Sequence, residues 1–224
     1  MAVKTLDFPE GLTLVGAGAL ESGAISLARK YAPGLVAADG AADALWALGH
    51  QPDAIFGDMD SLSDVDLWRS RGVHIEAISE QETTDFEKCL YRTSAPFYVG
   101  VGFTGKRLDH TLAVLHAMLA RPKKRVVLLG EAEVMAFAPA GQLFELDLAA
   151  GAIVSFFPLL PATGISSKGL KWSTDGLSMN PGQQIGTSNI ATTAQVRAGF
   201  DGPGVLVMVG HDHLETLLAM VRAA

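Results

Sequence analysis

Six short, mostly apolar runs alternate with stretches of helical periodicity through the first 130 residues. The runs are Leu12–Val15, Leu35–Ala38, Ala54–Phe56, His74–Ile78, Phe97–Val101 and Arg125–Leu129. The helical patterns between them cover Leu20–Tyr31, Ala41–Leu48, Asp64–Arg71, Asp85–Thr93 and Leu108–Ala120. Runs this short suit strands, and strands without polar alternation are buried on both faces. Regular strand–helix alternation therefore predicts a parallel sheet between two helical layers, a three-layer α/β domain.

The pattern changes after Gly130. Helical periodicity gives way to Val134–Ala138, Leu143–Leu146, Ile153–Phe157, Gly169–Trp172, Gln184–Ile190, Gln195–Phe200 and Val205–Val209. Gly and Pro punctuate these segments, which predicts an antiparallel β-sandwich, with a brief helix over His213–Ala223. The expected boundary lies near Ala138–Gln142, giving an α/β domain over 1–139 and a β-sandwich over 140–224.

Charge narrows the function classes. The 224 residues carry 17 basic and 24 acidic side chains, a net charge of −7, which argues against a general nucleic-acid binder. A polyphosphate ligand would then need local cations or a metal. The single cysteine, Cys89, excludes an intramolecular disulfide framework and a Cys-rich zinc site. The start, MAVKTLDFPE, lacks a signal-peptide layout, and the longest apolar stretches fall short of the roughly 20 residues that span a bilayer. The expectation is a soluble cytoplasmic protein with no membrane partner.

Ligands of open parallel sheets bind at the carboxyl ends of strands. Here Asp39 follows one run, Asp58 and Asp60 the next, and Asp85 and Asp109 follow later strand-end loops. Turn chemistry explains Asp39 before Gly40, or Asp58 after Gly57, taken singly. Five carboxylates along one edge point to Mg²⁺, a hard cation that prefers carboxylate, water and phosphate oxygens. Thr84 and Glu87 match a capping box, and the helix amino end they mark is also a phosphate-binding feature. Lys88 lies one turn further in. The loop Gly102–His110 carries Lys106 and Arg107 ahead of a helix, and a guanidinium matches phosphate oxygens. Gly16-Ala-Gly-Ala-Leu-Glu21 begins like a dinucleotide fingerprint but has Glu21 at its third position. No HExxH, Gly-x-Ser-x-Gly or P-loop is present. Trp172 is either a core indole or an accessible face for a cationic or aromatic ligand. Ser188 and Asn189 either orient ligand edges or form a turn.

Six segments together resemble the thiamine pyrophosphokinase family: Ala38-Asp-Gly-Ala41, Pro52–Ser61, Gln81–Lys88, Gly105–Thr111, Gly169-Leu-Lys-Trp172 and Thr187-Ser-Asn189. The resemblance implies an amino-terminal α/β domain, a carboxyl-terminal β-sandwich, and a homodimer with its active sites at the subunit interface. It implies Mg²⁺-dependent transfer of a diphosphate from ATP to thiamine, with AMP leaving. Asp39, Asp58, Asp60, Asp85 and Arg107 would be catalytic, with Asp58, Asp60 and Asp85 on the metal. Gln81, Thr84, Lys88, Arg107 and Asp109 would bind ATP; Trp172, Ser188 and Asn189 would bind thiamine. Ala41, Asp43, Glu82 and Ser173 depart from residues frequent in the family. Two other functions share these residue types, a Mg²⁺-dependent nucleotide phosphohydrolase and a non-catalytic nucleotide or thiamine sensor.

Overall fold

The computed structural model describes residues 5–224, which form two compact units divided between Gly130 and Glu131. In the first, β1 (Leu6–Asp7), β2 (Leu12–Val15), α1 (Ser22–Tyr31), β3 (Gly34–Ala38), α2 (Ala42–Ala47), β4 (Ala54–Gly57) and α3 (Val65–Ser70) come in turn. They are followed by β5 (His74–Ala77), α4 (Asp85–Arg92), β6 (Thr93–Ser94), β7 (Tyr98–Val101), α5 (Leu108–Ala120) and β8 (Val126–Leu129).

Six of these strands pair in parallel, in the order β8–β7–β2–β3–β4–β5. Every residue of β2, β4, β7 and β8 is buried, as continuous apolar runs require. Thr13 is the polar exception within β2, and its hydroxyl donates to Ala32 O at 2.7 Å. β5 lies at the edge, which explains its polar His74 and Glu76. From central β2 the chain builds outward through β3, β4 and β5, then returns to β7 and β8. Strand order thus reverses between β2 and β7, and a crevice at such a reversal is where ligands of this architecture bind.

The second unit contains β9 (Glu133–Phe137), β10 (Gln142–Asp147), β11 (Ile153–Pro158), β12 (Ala162–Lys168), β13 (Ser178–Met179), β14 (Gly186–Ile190), β15 (Gln195–Phe200), β16 (Val205–Gly210) and α6 (Leu214–Ala223). Two antiparallel layers result, β14–β11–β16–β9 and β10–β15–β12–β13. Phe200 joins them, with its ring centroid 5.3 Å from Phe156 and 6.2 Å from Phe144. α6 packs against β9 and β10.

One expected strand is absent and one strand was not expected. Gly169–Trp172 is not a strand; its only ladder contact is an isolated bridge between Leu170 and Ala191. Conversely, β12 is a seven-residue strand whose ATGISSK sequence lacks an apolar run. Only Ala162 and Gly164 are buried there, so backbone pairing to β15 and β13 carries the element.

Candidate active site

Asp39 follows β3 directly and opens a single 3₁₀ turn, while Asp58 and Asp60 occupy the turn after β4. Between those two, Met59 takes the left-handed conformation, φ 68°. Carboxylate oxygens of Asp39, Asp58 and Asp60 all come within 4.8 Å of one another. Asp39 is 2% exposed, and its Oδ1 has no hydrogen-bond partner, whereas Oδ2 accepts from Ser61 N at 3.4 Å. Gly57 makes this approach possible, because a Cβ there would fall 2.3 Å from the Cβ of Asp39. Burial pushes the Asp39 carboxyl up to about 6; the Ser61 N–H opposes this, and the Asp58 and Asp85 carboxylates reinforce it. Asp58 titrates below the usual range, first through the Gln81 amide that donates to its Oδ2 at 3.0 Å.

An orphaned buried oxygen among converging carboxylates, with no histidine or thiol in the group, fits a hard divalent cation.

Asp85 stands outside that group of three, although its charge raises Asp39. It pairs with Lys88 at 3.3 Å, and the Lys88 side chain is only 3% exposed. Lys88 is thus a buried cation beside the acidic cluster, not a solvated surface lysine. Thr84 and Glu87 form the expected capping box, with Thr84 N to Glu87 Oε2 at 3.1 Å and Glu87 N to Thr84 Oγ1 at 3.3 Å. Arg121 braces Glu87 at 2.8 Å.

Arg107 and Asp109 fork together in the open, their side chains about two-thirds exposed. Their loop is anchored by Phe103, whose ring lies 4.7 Å from that of Phe86, and by Lys106, which donates to Ala17 O at 3.1 Å. The partial glycine fingerprint has a packing cause in this same region. A Cβ on Gly16 or Gly18 would strike Gly102 O at 2.6 or 2.4 Å.

In the second unit, Trp172 is 52% exposed and Lys171 Nζ sits 4.6 Å from its ring centre. Asn189 is buried and bonds the Trp172 backbone twice. Ser188 is exposed at φ 60°, its N–H donating to Ser155 Oγ at 2.9 Å.

Sequence reasoning overlooked three supporting residues. Glu80 accepts from Glu82 N, Thr83 N, the Thr83 hydroxyl and the Tyr91 hydroxyl, fixing the loop that presents Gln81. Asp43 accepts from Ser63 N, Ser63 Oγ and Trp68 Nε1, tying α2 to the segment after the Asp58 turn. Gly57 is the third. Nothing local signals Asp43, whose partners Ser63 and Trp68 lie 20 and 25 residues further along the chain, or Gly57.

Two family models match the chain. "Thiamin pyrophosphokinase, catalytic domain" matches residues 27–128, and "Thiamin pyrophosphokinase, vitamin B1 binding domain" matches 143–203. Among curated proteins, Thiamine pyrophosphokinase 1 of Oryza sativa subsp. japonica is 28% identical over 168 residues, 68% of this chain and 64% of that protein. Thiamin pyrophosphokinase 1 of Caenorhabditis elegans is 30% identical over 161 residues, 65% of each. The chain thus spans just under two thirds of the length of these relatives. In fold, it superposes on thiamin pyrophosphokinase from Candida albicans with TM-score 0.78 at 16% identity, covering 92% of this chain and 93% of that one. For the Geobacillus thermodenitrificans structure the values are 0.72 and 22%, with 89% and 96% covered.

Proposed function

The chain belongs to the thiamin pyrophosphokinase family, and from that premise we propose that it transfers a diphosphate from ATP to the hydroxyl of thiamine, releasing AMP. The observation that carries this reading is the carboxylate trio of Asp39, Asp58 and Asp60 at the ends of adjacent β3 and β4, inside the catalytic-domain match.

Asp39, Asp58 and Asp60 would hold Mg²⁺. When bound, the ion would neutralise polyphosphate charge and order its oxygens. The thiamine oxygen forms a bond to the β-phosphorus. The bond from that phosphorus to the α,β-bridging oxygen breaks, and its electron pair leaves with AMP. Asp85, outside the trio, takes the hydroxyl proton. Lys88 offsets the charge of the acidic cluster, and Arg107 stabilises phosphate oxygens once ATP competes with Asp109 for its guanidinium. Gln81 fixes Asp58, while Thr84 and Asp109 border the ATP site. Trp172, Ser188 and Asn189 form the thiamine pocket.

A cytoplasmic homodimer with active sites at the subunit interface completes the proposal. Leu108 and Leu112, one turn apart on α5 beside Arg107, are 74% and 52% exposed, as a face meeting a second copy would be. Among the described residues no helix is long and apolar enough to cross a membrane.

The test is product analysis by mass after incubation with ATP, Mg²⁺ and thiamine. Thiamine diphosphate and AMP should appear together, and only with all three components. Thiamine-independent ATP cleavage would support a phosphohydrolase instead. Binding without turnover would support a sensor.

A further inference from the structure

The thiamine-pocket residues do not play equivalent parts. Trp172 lies outside any strand, on the segment Gly169–Trp172 that runs beside the end of β14. Backbone bonds hold its earlier residues, with Lys171 N donating to Ile190 O at 2.9 Å and Thr192 N to Gly169 O at 2.8 Å. At Trp172 itself a side chain takes over. Trp172 N donates to Asn189 Oδ1 at 3.2 Å, and Asn189 Nδ2 donates to Trp172 O at 2.7 Å. The carboxamide thereby copies the peptide of a neighbouring strand, supplying one acceptor and one donor to the same residue. Only an amide side chain does this; a carboxylate would set a second acceptor against the Trp172 carbonyl.

Asn189 reaches that position because β14 is bulged. Val154 pairs with Asn189 and Phe156 with Gly186, so Thr187 and Ser188 together oppose Ser155. The extra residue, Ser188, sits at φ 60°, pinned by the Ser155 hydroxyl. A bulge shifts the inside–outside alternation by one residue. Ser188 is exposed in consequence, and Asn189 is 4% exposed.

The geometry points to Asn189 as a positioning residue that acts on thiamine through Trp172, clamping its backbone so that the indole stands out, and not as a thiamine ligand. The Oδ1 acceptor is fully engaged by the protein, since it also accepts from Ile190 N at 2.8 Å, and Nδ2 is held by the Trp172 carbonyl on a side chain that is itself buried. This inference rests on the reading of Trp172 as a thiamine-facing residue.

A double-mutant cycle on steady-state kinetics, with amide exchange by NMR, tests it. Trp172→Ala should raise the thiamine KM ~10-fold, as loss of an aromatic face for a cationic ligand does. Asn189→Ala alone should raise it several-fold and leave the ATP KM in place. In the Trp172→Ala background, Asn189→Ala should add less than about twofold, because coupled residues are non-additive. Equal factors in both backgrounds would mean direct contact with thiamine and overturn the positioning role. Exchange at Trp172 N–H should accelerate in Asn189→Ala while Val196 and Ala198 stay protected; unchanged exchange would overturn the clamp. An unaltered thiamine KM in Trp172→Ala would remove the pocket reading itself, and the exchange arm would still judge the clamp. Ser155→Ala, which leaves the carboxamide intact and frees the bulge, covers the case in which Asn189→Ala fails to fold. It should give the same exchange and KM signature at smaller amplitude, and wild-type values for both would count against the mechanism.

Discussion

At the scale of single residues, the proposed reaction would divide the acidic residues into carboxylates that hold the metal and one, Asp85, that takes the hydroxyl proton, and the two roles predict different losses. Asp58→Asn should cut kcat by at least ~10², since one strong electrostatic contact in the transition state contributes roughly 3–4 kcal/mol. The Mg²⁺ concentration for half-maximal rate should also rise. Asp85→Asn should lower kcat within the ~10²–10⁴ range of general-base loss, with the Mg²⁺ dependence unchanged. Titrating both variants with Mg²⁺ separates the roles; a shifted metal requirement in Asp85→Asn would place that residue on the ion. Glu80 offers a pH test. The Thr83 hydroxyl, then the N–H groups of Thr83 and Glu82 and the Tyr91 hydroxyl, hold its carboxyl at about 2, against 4.5 in an unconstrained chain. A depressed carboxylate stabilises fully above the unfolded value and loses that contribution as pH falls toward the folded one. The Tm gap between wild type and Glu80→Gln should therefore be widest at neutral pH and close between 4.5 and about 2, and a pH-independent gap would reject this account. The acidic positions were legible because strand ends are legible. Glu80 and Gly57 were not, since neither the loop bonds of Glu80 nor the close approach of Gly57 to Asp39 is encoded in neighbouring residue types.

Elements show a similar division. Helix α4 could be read almost to the residue, because Thr84 and Glu87 write its start into the sequence, and the capping box forms as expected. Thr84→Ala should cost ~1 kcal/mol by denaturant titration, the usual loss for an N-cap. A much larger loss of activity than of stability would show that Thr84 also touches ATP. Strand β12 escaped because pairing, not side-chain burial, sustains it, and the Gly169–Trp172 segment imitates a strand because one bridge and a side-chain amide extend it. The bulge in β14 was hidden for the same reason. Thr187-Ser-Asn189 looks like a turn or a polar edge until the Ser155 hydroxyl fixes which residue faces inward.

At the scale of the whole molecule, the carboxylate trio and the Trp172–Asn189 pair lie in separate compact units, the first before Gly130 and the second after Glu131. This alternation of strand types was the most legible feature of the sequence, because periodicity averages over many residues. How sites are assembled from the two units is open to a complementation experiment. If each active site takes its carboxylates from one protomer and Trp172 from the other, Asp58→Asn and Trp172→Ala lie in different halves of every site. A mixed dimer then has one site carrying both lesions and one carrying neither. Random pairing yields half mixed dimers, so co-expressed variants should recover about a quarter of wild-type activity at low thiamine, although each alone is nearly inactive there. Sites built within one protomer would carry one lesion each in every mixed dimer, and activity would not rise above the mean of the parents. Dilution adds a second arm, since recovered activity should decline with protein concentration as the dimer dissociates. Recovery that survives dilution to the monomer would exclude the shared site.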